Sequence, residues 1–268
     1  MHSIEKALKR IRHHPTISGS PGLWNVLRPI YFSGLELVTR NRGLERTING
    51  TDRIRVTPEL QGMSEIYEPD LWAHLMASLR KGDFVAEVGA YVGLFSVAIA
   101  QRVTSSGKVY AIEPDPDNFS ELRSMIAINK AGDRVVAVPV AMGNERGIAW
   151  LEPRKSQSEI LGSASSTAIE VDVETLDGYF GGESIDILKI DVEGQECNVL
   201  LGAAKLLHDH NRGPRLIYME VHPYAWPSVE STSRSILEQL RGSGYSVKRL
   251  GGQTVEAITE YGHIIATR

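Results

Sequence analysis

Four short stretches of this 268-residue sequence set reactive side chains beside residues that turn the chain. The first is Glu87-Val88-Gly89-Ala90-Tyr91-Val92-Gly93. Its glycines let the backbone turn tightly and bring a ligand to the N-terminus of a following helix, where unpaired N–H groups collect. The spacing is not G-x-G-x-x-G, because Leu94 stands at the third glycine position. The second is Glu113-Pro114-Asp115, which begins twenty residues after Gly93. An acid at that distance, ending the second strand of a βαβ unit, can grip both hydroxyls of a ribose. Together the two stretches read as a nucleoside site, for a nicotinamide dinucleotide or for S-adenosylmethionine. Glu87 favours the second, since a carboxylate repels a pyrophosphate and neutralises an ammonium or sulfonium group.

The third stretch is Leu188-Lys189-Ile190-Asp191-Val192-Glu193-Gly194. Strand alternation puts Lys189 and Asp191 on one side and leaves Asp191 at the carboxyl end, beside the expected cleft. Its other reading is a helix N-cap or a salt-bridge partner of Lys189. The fourth is Met219-Glu220-Val221-His222-Pro223, in which Glu220 and His222 share a side. An imidazole with an ordinary pKa near 6.5 is suited to taking a proton, and a strand-end histidine beside proline also serves as a structural hydrogen-bonder.

Residues in such positions need strands whose ends converge. Alternating patterns predict a helix over Asp70–Arg80, a strand over Phe84–Val88, a helix over Leu94–Arg102 and a strand over Lys108–Glu113. A helix (Asp117–Lys130) and a strand (Arg134–Val140) follow, then a less regular stretch, Gly147–Val173, with two short strands around the small-residue loop Gly162–Thr167. The pattern resumes as strand Ile185–Asp191, helix Gln195–His208, strand Arg215–Val221, helix Ser233–Arg241 and closing strands Tyr245–Leu250 and His263–Thr267. This order means right-handed crossovers and an α/β, mainly parallel, doubly wound sheet, whose ligands sit outside the carboxyl ends of the strands. Residues 63–268 form that domain. Residues 1–62 form an N-terminal extension with a basic amphipathic helix (Ile4, Ala7, Leu8 and Ile11 on one face), stopped at His13-His14-Pro15. A second helix over Leu23–Thr39 and a hairpin in Gly43–Pro58 turning at Asn49-Gly50 complete the extension. Docking on its own domain or on a second subunit outweighs membrane contact for the first helix.

Composition narrows the partners. Lys and Arg total 29 against 33 Asp and Glu, a net charge of −4, which argues against a dedicated nucleic-acid binder. The single cysteine, Cys197, excludes an internal disulfide framework and a multi-cysteine metal site. The longest mainly apolar run, Val88–Gln101, is shorter than the roughly 20 residues of a membrane span. No apolar core with a cleavage site follows the N-terminus, so the expected address is the cytoplasm.

The chain resembles the FkbM family of S-adenosylmethionine-dependent methyltransferases. The resemblance is carried by "AEVGAYVGLFSVAIA", "YAIEPDPDNFSELRSMIAIN", "VDVETLDGYF", "SIDILKIDVEGQECNVLLGA" and "YMEVHP", spanning roughly Tyr67–Pro223. The family's first motif usually reads D-V-G-A-N-x-G; here Glu87 and Tyr91 replace the acid and the asparagine. The resemblance implies a Rossmann-like class I methyltransferase sheet of seven strands with the last antiparallel, and transfer to hydroxyls of sugars, polyols or natural products. The expected cofactor contacts are Glu87, Gly89, Ala90, Tyr91, Gly93, Ser96, Glu113, Pro114, Asp115, Asn118, Ala141, Met142 and Asp191. Ala141 and Met142 would face the adenine, and the Tyr91 ring would either lie near the sulfonium or pack the cleft wall. Tyr67, Glu193 and Glu220 are expected toward the acceptor, with Asp191 and His222 as candidate bases. A divalent cation bridging Asp191 and Glu220, with Glu193 third, is the less favoured alternative, because hard cations want more oxygen ligands. Two other functions stay open from the residues alone: a nucleoside-binding protein without turnover, and an NAD-dependent oxidoreductase.

Overall fold

The computed structural model describes residues 20, 22, 23, 25–27, 29–31, 34, 42–153, 158–161 and 167–268. The basic helix expected over Ile4–Arg12, its His13-His14-Pro15 stop and most of the loop Gly162–Thr167 lie outside the described residues. So does part of the second helix; what is described between 22 and 34 is helical. The chain divides into two compact units, residues 1–67 with 127–129 and residues 68–126 with 130–268.

In the first unit, β1 (Leu44–Ile48) and β2 (Asp52–Val56) pair antiparallel with Ile48 opposite Asp52. Asn49 and Gly50 turn the hairpin at φ +49° and +72°, left-handed values that asparagine and glycine tolerate best. Ile48, Ile54 and Val56 are buried beneath it.

The second unit is built on a seven-stranded sheet. Its strands are β3 (Phe84–Val88), β4 (Lys108–Ile112), β5 (Val135–Val138), β10 (Ile187–Ile190), β11 (Leu216–Val221), β12 (Ser246–Arg249) and β13 (Gly262–Thr267). The spatial order is β12-β13-β11-β10-β3-β4-β5, and only β13 runs antiparallel to its neighbours. This is the topology the resemblance implies. Helices α1 (Pro69–Ser78), α2 (Leu94–Val103), α3 (Pro116–Ile128) and α7 (Ser233–Gly242) accompany the sheet. The central strands are covered on both faces, which explains why they read as near-continuous apolar runs. Winding goes outward from β3 through β4 to β5 and then resumes on the other side at β10, so the switch point lies between β3 and β10.

Two expectations change. The irregular stretch after β5 holds more strands than expected: β6 (Ala141–Met142), β7 (Gly147–Glu152), β8 (Glu159–Leu161) and β9 (Ile169–Glu174) form a separate sheet ordered β6-β9-β7-β8. The helix expected over Gln195–His208 is broken into α5 (Glu196–Leu201) and α6 (Ala204–His208), following the short α4 (Leu176–Phe180). The break falls at Gly202, where a side chain would meet the Gly143 carbonyl oxygen at 1.9 Å. Close backbone approach, not helix propensity, decides that position.

Candidate active site

The switch point is closed by backbone before it is furnished by side chains. Gly89 leaves β3 at φ +83°, and a methyl group built on it would sit 1.7 Å from the Asp191 carbonyl oxygen. Only glycine lets the two strand ends come this close. Tyr91 then adopts φ +50°, a left-handed value that costs a tyrosine more than the asparagine usual in the family. Its backbone N–H nevertheless donates to Glu113 Oε2 at 2.8 Å, so this contact does not depend on the side chain.

A cleft opens at this point, at the place where open α/β sheets bind their ligands. Its lining combines apolar side chains (Ile112, Val140, Ala141, Met142, Leu151 and Ile160) with Gly89, Tyr91, Asp191, Glu193 and Gln195. Glu113, Pro114, Asn118 and Ser158 lie on the wall as well. Glu113 is buried and accepts N–H bonds from Tyr91 (2.8 Å) and Asp115 (3.0 Å), with Asn118 Nδ2 at 3.4 Å. A carboxylate offers about four lone-pair sites, so one remains for a ligand hydroxyl. Apolar lining, a carboxylate with spare acceptor capacity and a half-buried glycine turn fit the base, the ribose and the amino-acid end of an adenosyl cofactor.

Of the expected contacts, Gly89, Tyr91, Glu113, Pro114, Asn118, Ala141, Met142, Asp191 and Glu193 line the cavity. Others stand behind it. Ala90 is buried and its N–H donates to the Ile112 carbonyl. Gly93 makes room for Leu122, whose Cδ1 would be 2.3 Å from an added methyl. Asp115 caps α3, accepting from the Asp117 and Asn118 N–H groups and from Ser158 Oγ. Tyr67 belongs to the first unit, where its N–H donates to Asn49 Oδ1 and its carbonyl accepts from Asn49 Nδ2.

Glu87 requires a correction. Its carboxylate is only 1% exposed, accepts a 2.5 Å bond from Ser96 Oγ and lies 3.9 Å from Lys189 Nζ. The cation facing it is therefore an internal lysine and not a ligand. Burial pushes this carboxyl up to about 7, against the pull of Lys189 and the Ser96 bond. Burial likewise pushes Glu113 up to about 7 despite its three donors.

The acids and histidine around Asp191 form one network. Lys189 Nζ donates to Asp191 Oδ2 at 3.3 Å. Burial would raise the Asp191 carboxyl, but Lys189, then His222, and hydrogen bonds from Glu220 and Lys189 hold it below its ordinary value. His222 is 2% exposed and does not line the cavity; its Nδ1 donates to Glu196 Oε1 at 2.7 Å and its Nε2 stands 3.6 Å from Glu193 Oε2. Burial disfavours its charge, yet the Glu196 bond and the charges of Glu196, Glu193 and Asp191 raise it above the ordinary histidine value. Asp191 lines the cavity and His222 does not, so the geometry prefers Asp191 over His222 as base. Glu220 also stands behind the wall, with Tyr261 Oη donating to its Oε1. Asp191, Glu220 and His222 do converge, with one donor atom each within 4.8 Å of the others.

Sequence reading missed Glu196, whose fully buried carboxylate also accepts from the Gly194 N–H (2.9 Å) and Trp226 Nε1 (2.6 Å). It missed Leu151 and Ile160 too, which reach the cavity from the four-stranded sheet, and Ser158, just before β8. The only sequence signal for Glu196 was an acid in the first turn of a helix, which ordinarily serves the helix dipole.

These shifts predict how stability varies with pH. Glu87 and Glu113 have native pKa values raised above the unfolded one, so the native state holds their protons longer. Their contribution is greatest at low pH and is lost as pH rises from about 4.5 through 7. Raised His222 and His263 work in the same direction. Urea unfolding is expected to give a free energy lower at about pH 8 than at about pH 5.5 by a few kcal/mol, with Glu87→Gln flattening the slope. A free energy that rises across this interval would contradict the burial of both carboxyls.

A family model described as the methyltransferase FkbM domain matches residues 87–247. The methyltransferase sdnD of Sordaria araneosa is 29% identical, over 47% of this chain and 62% of its own length. The hexuronic acid methyltransferase AglP of Haloferax volcanii is 24% identical, over 66% of this chain and 69% of its own. The structure of an S-adenosylmethionine-dependent O-methyltransferase from Thermotoga maritima is 16% identical, covering 80% of this chain and 77% of that one at a TM-score of 0.46. No described helix is long and apolar enough to cross a membrane.

Proposed function

Because the chain belongs to the FkbM family of S-adenosylmethionine-dependent methyltransferases, we propose that it methylates a hydroxyl oxygen of a sugar, polyol or natural product. The observation carrying this reading is the cavity at the β3–β10 switch point, whose lining joins Glu113, Asp191 and a set of apolar side chains. The relative named as a hexuronic acid methyltransferase supports a small-molecule acceptor.

The cofactor supplies a methyl group on positively charged sulfur, already a good leaving group. Glu113 would hold a ribose hydroxyl, Ile112, Met142, Leu151 and Ile160 would enclose the base, and the Gly89–Tyr91 turn would meet the amino-acid end. Much of the acceleration is orientation, which can supply on the order of 7–11 kcal/mol. Asp191 accepts the acceptor's hydroxyl proton. Lys189 and His222 keep that carboxyl ionised, and Glu193 receives further hydroxyls of the acceptor. General-base help of this kind contributes about 10²–10⁴-fold.

The test is mass spectrometry of products after incubating the protein with methyl-labelled cofactor and a panel of sugars, polyols and natural products. One methyl gained on oxygen is expected; transfer to nitrogen or carbon would overturn the reading. With the acceptor found, Asp191→Asn is expected to lower turnover by about 10²–10⁴-fold. Unchanged turnover would remove Asp191 as the base.

A further inference from the structure

Two tyrosines present their rings to solvent beside the cavity, on the side away from the expected cofactor. The groups assigned to the cofactor lie along β3, β4 and the chain after β5, whereas Asp191 follows β10 and the sheet continues from β10 through β11 to β13. This leaves the ends of β10, β11 and β13 for the acceptor. Tyr224 follows β11 by three residues. Tyr261 immediately precedes β13, whose first residue, Gly262, pairs with Val221 at the end of β11. Two strand spacings place the start of β13 roughly 10 Å from the end of β10.

Exposed apolar side chains scattered singly need no explanation, but these two rings are neither scattered nor loose. Tyr224 is 65% and Tyr261 57% exposed, yet both pack on the same buried His222, with ring centroids 5.7 and 5.5 Å from it. Each hydroxyl is tied to a carboxylate. Tyr224 Oη donates to Glu193 Oε2 at 3.0 Å, and Tyr261 Oη donates to Glu220 Oε1. Rings anchored in this way are ordered in advance, so a ligand that covers them meets a smaller entropic cost. Glu193 itself has a left-handed φ of +45°, and a methyl added to Gly194 would lie 2.5 Å from Ala225 Cβ. Strained backbone of this kind persists where its surroundings enforce it, and it gathers at ligand sites. Here it holds Glu193, which lines the cavity, against the segment that carries Tyr224.

The shape of the pair selects among acceptors. The Tyr224 and Tyr261 rings stand at 88° and 53° to the His222 ring, so they cannot be parallel to each other. A flat aromatic acceptor fits best between parallel walls, which this pair does not form. A pyranose is puckered, with C–H groups on its faces and hydroxyls around its rim. Its faces suit the negative faces of tyrosine rings, and its rim hydroxyls suit a carboxylate at the ring edge. Glu193 keeps acceptor sites beyond the Tyr224 bond, since a carboxylate offers about four. Resting on the reading of this cavity as a methyl-transfer site, we propose that the acceptor is a sugar in its pyranose form. It lies with a C–H face on Tyr224 and Tyr261 and donates a rim hydroxyl to Glu193. The tyrosines select the acceptor and hold it for Asp191; they take no part in the proton transfer.

The test uses the full chain saturated with S-adenosylhomocysteine. Saturation-transfer NMR is run with the methyl pyranosides of glucose, galactose, mannose and glucuronic acid, and with sorbitol and catechol as acyclic and flat comparison probes. At least one pyranoside is expected to bind, with saturation strongest on its ring C–H protons, and both comparison probes to bind more weakly. Tyr224→Ala and Tyr261→Ala are each expected to weaken that pyranoside roughly fivefold or more. Tyr224→Phe, which keeps the ring, should lose less than Tyr224→Ala. Unchanged S-adenosylhomocysteine affinity verifies that the variants fold, and the saturation pattern of the unaltered chain needs no variant. Preference for sorbitol or catechol, no binding by any pyranoside, full affinity in both alanine variants, or equal losses in Tyr224→Phe and Tyr224→Ala would each overturn the proposal. Methylation separates it from the reading it rests on. A methyl gained on the oxygen of an acceptor without a pyranose ring would overturn the role of the tyrosines alone, whereas a pyranoside that binds as expected and gains no methyl would count against methyl transfer alone.

Discussion

Glu113→Ala is expected to weaken S-adenosylhomocysteine binding by roughly 2–4 kcal/mol, about 30-fold to nearly a thousandfold in Kd. The carboxylate does two things at once. It offers its spare acceptor site to the ligand, and it fixes the Tyr91 and Asp115 N–H groups that shape the cavity wall. Alanine removes the first and orphans the donors of the second. Isothermal titration above pH 7 is the measurement, because burial pushes this carboxyl up to about 7 and the ionised form is the stronger acceptor. For the same reason unaltered protein should bind about tenfold more weakly at pH 6 than when fully ionised. Wild-type affinity in the alanine variant would take Glu113 out of the site.

Gly89→Ala is expected to cost at least about 3 kcal/mol of stability and most of the ligand affinity. Part of that is backbone strain, since φ of +83° costs a residue with a side chain roughly 1–3 kcal/mol. The remainder is collision with the Asp191 carbonyl oxygen, a backbone atom that cannot swing aside. Gly50→Ala separates the two contributions. Gly50 also has a left-handed φ, +72°, but nothing lies within 4 Å of an added methyl, so it should lose only the strain. Chemical denaturation of both variants provides the comparison. Equal losses would mean the strand ends separate easily and the close approach at Gly89 is not a constraint.

Legibility of the site in the sequence followed a physical boundary. Strand ends were readable because alternation and glycine turns are local: Gly89, Glu113 and Asp191 all reach the cavity as expected. The hairpin at Asn49-Gly50 was readable for the same reason. What alternation cannot tell is depth. It put Glu87 and Lys189 near the cleft but did not show that they face each other inside it. Nor could it show that Glu196, twenty-six residues before His222, would hold that histidine by a buried hydrogen bond. Leu151 and Ile160 were hidden because they come from short strands whose partners are set by tertiary pairing.

The pairing of β3 with β10 has a consequence for how the molecule is made. Val85 stands opposite Ile187, so about a hundred residues must be synthesised between one half of the seam and the other. At roughly 5–20 residues per second, the first strand waits several seconds on the ribosome for its partner. During that interval β3 can pair with β4 but has an unpaired apolar edge, the kind of surface chaperones cover. The ligand cavity straddles this seam and cannot form until β10 has been made. Binding of S-adenosylhomocysteine then becomes a marker of completed folding, and a saturating amount in a refolding mixture should raise the yield by holding the finished seam closed.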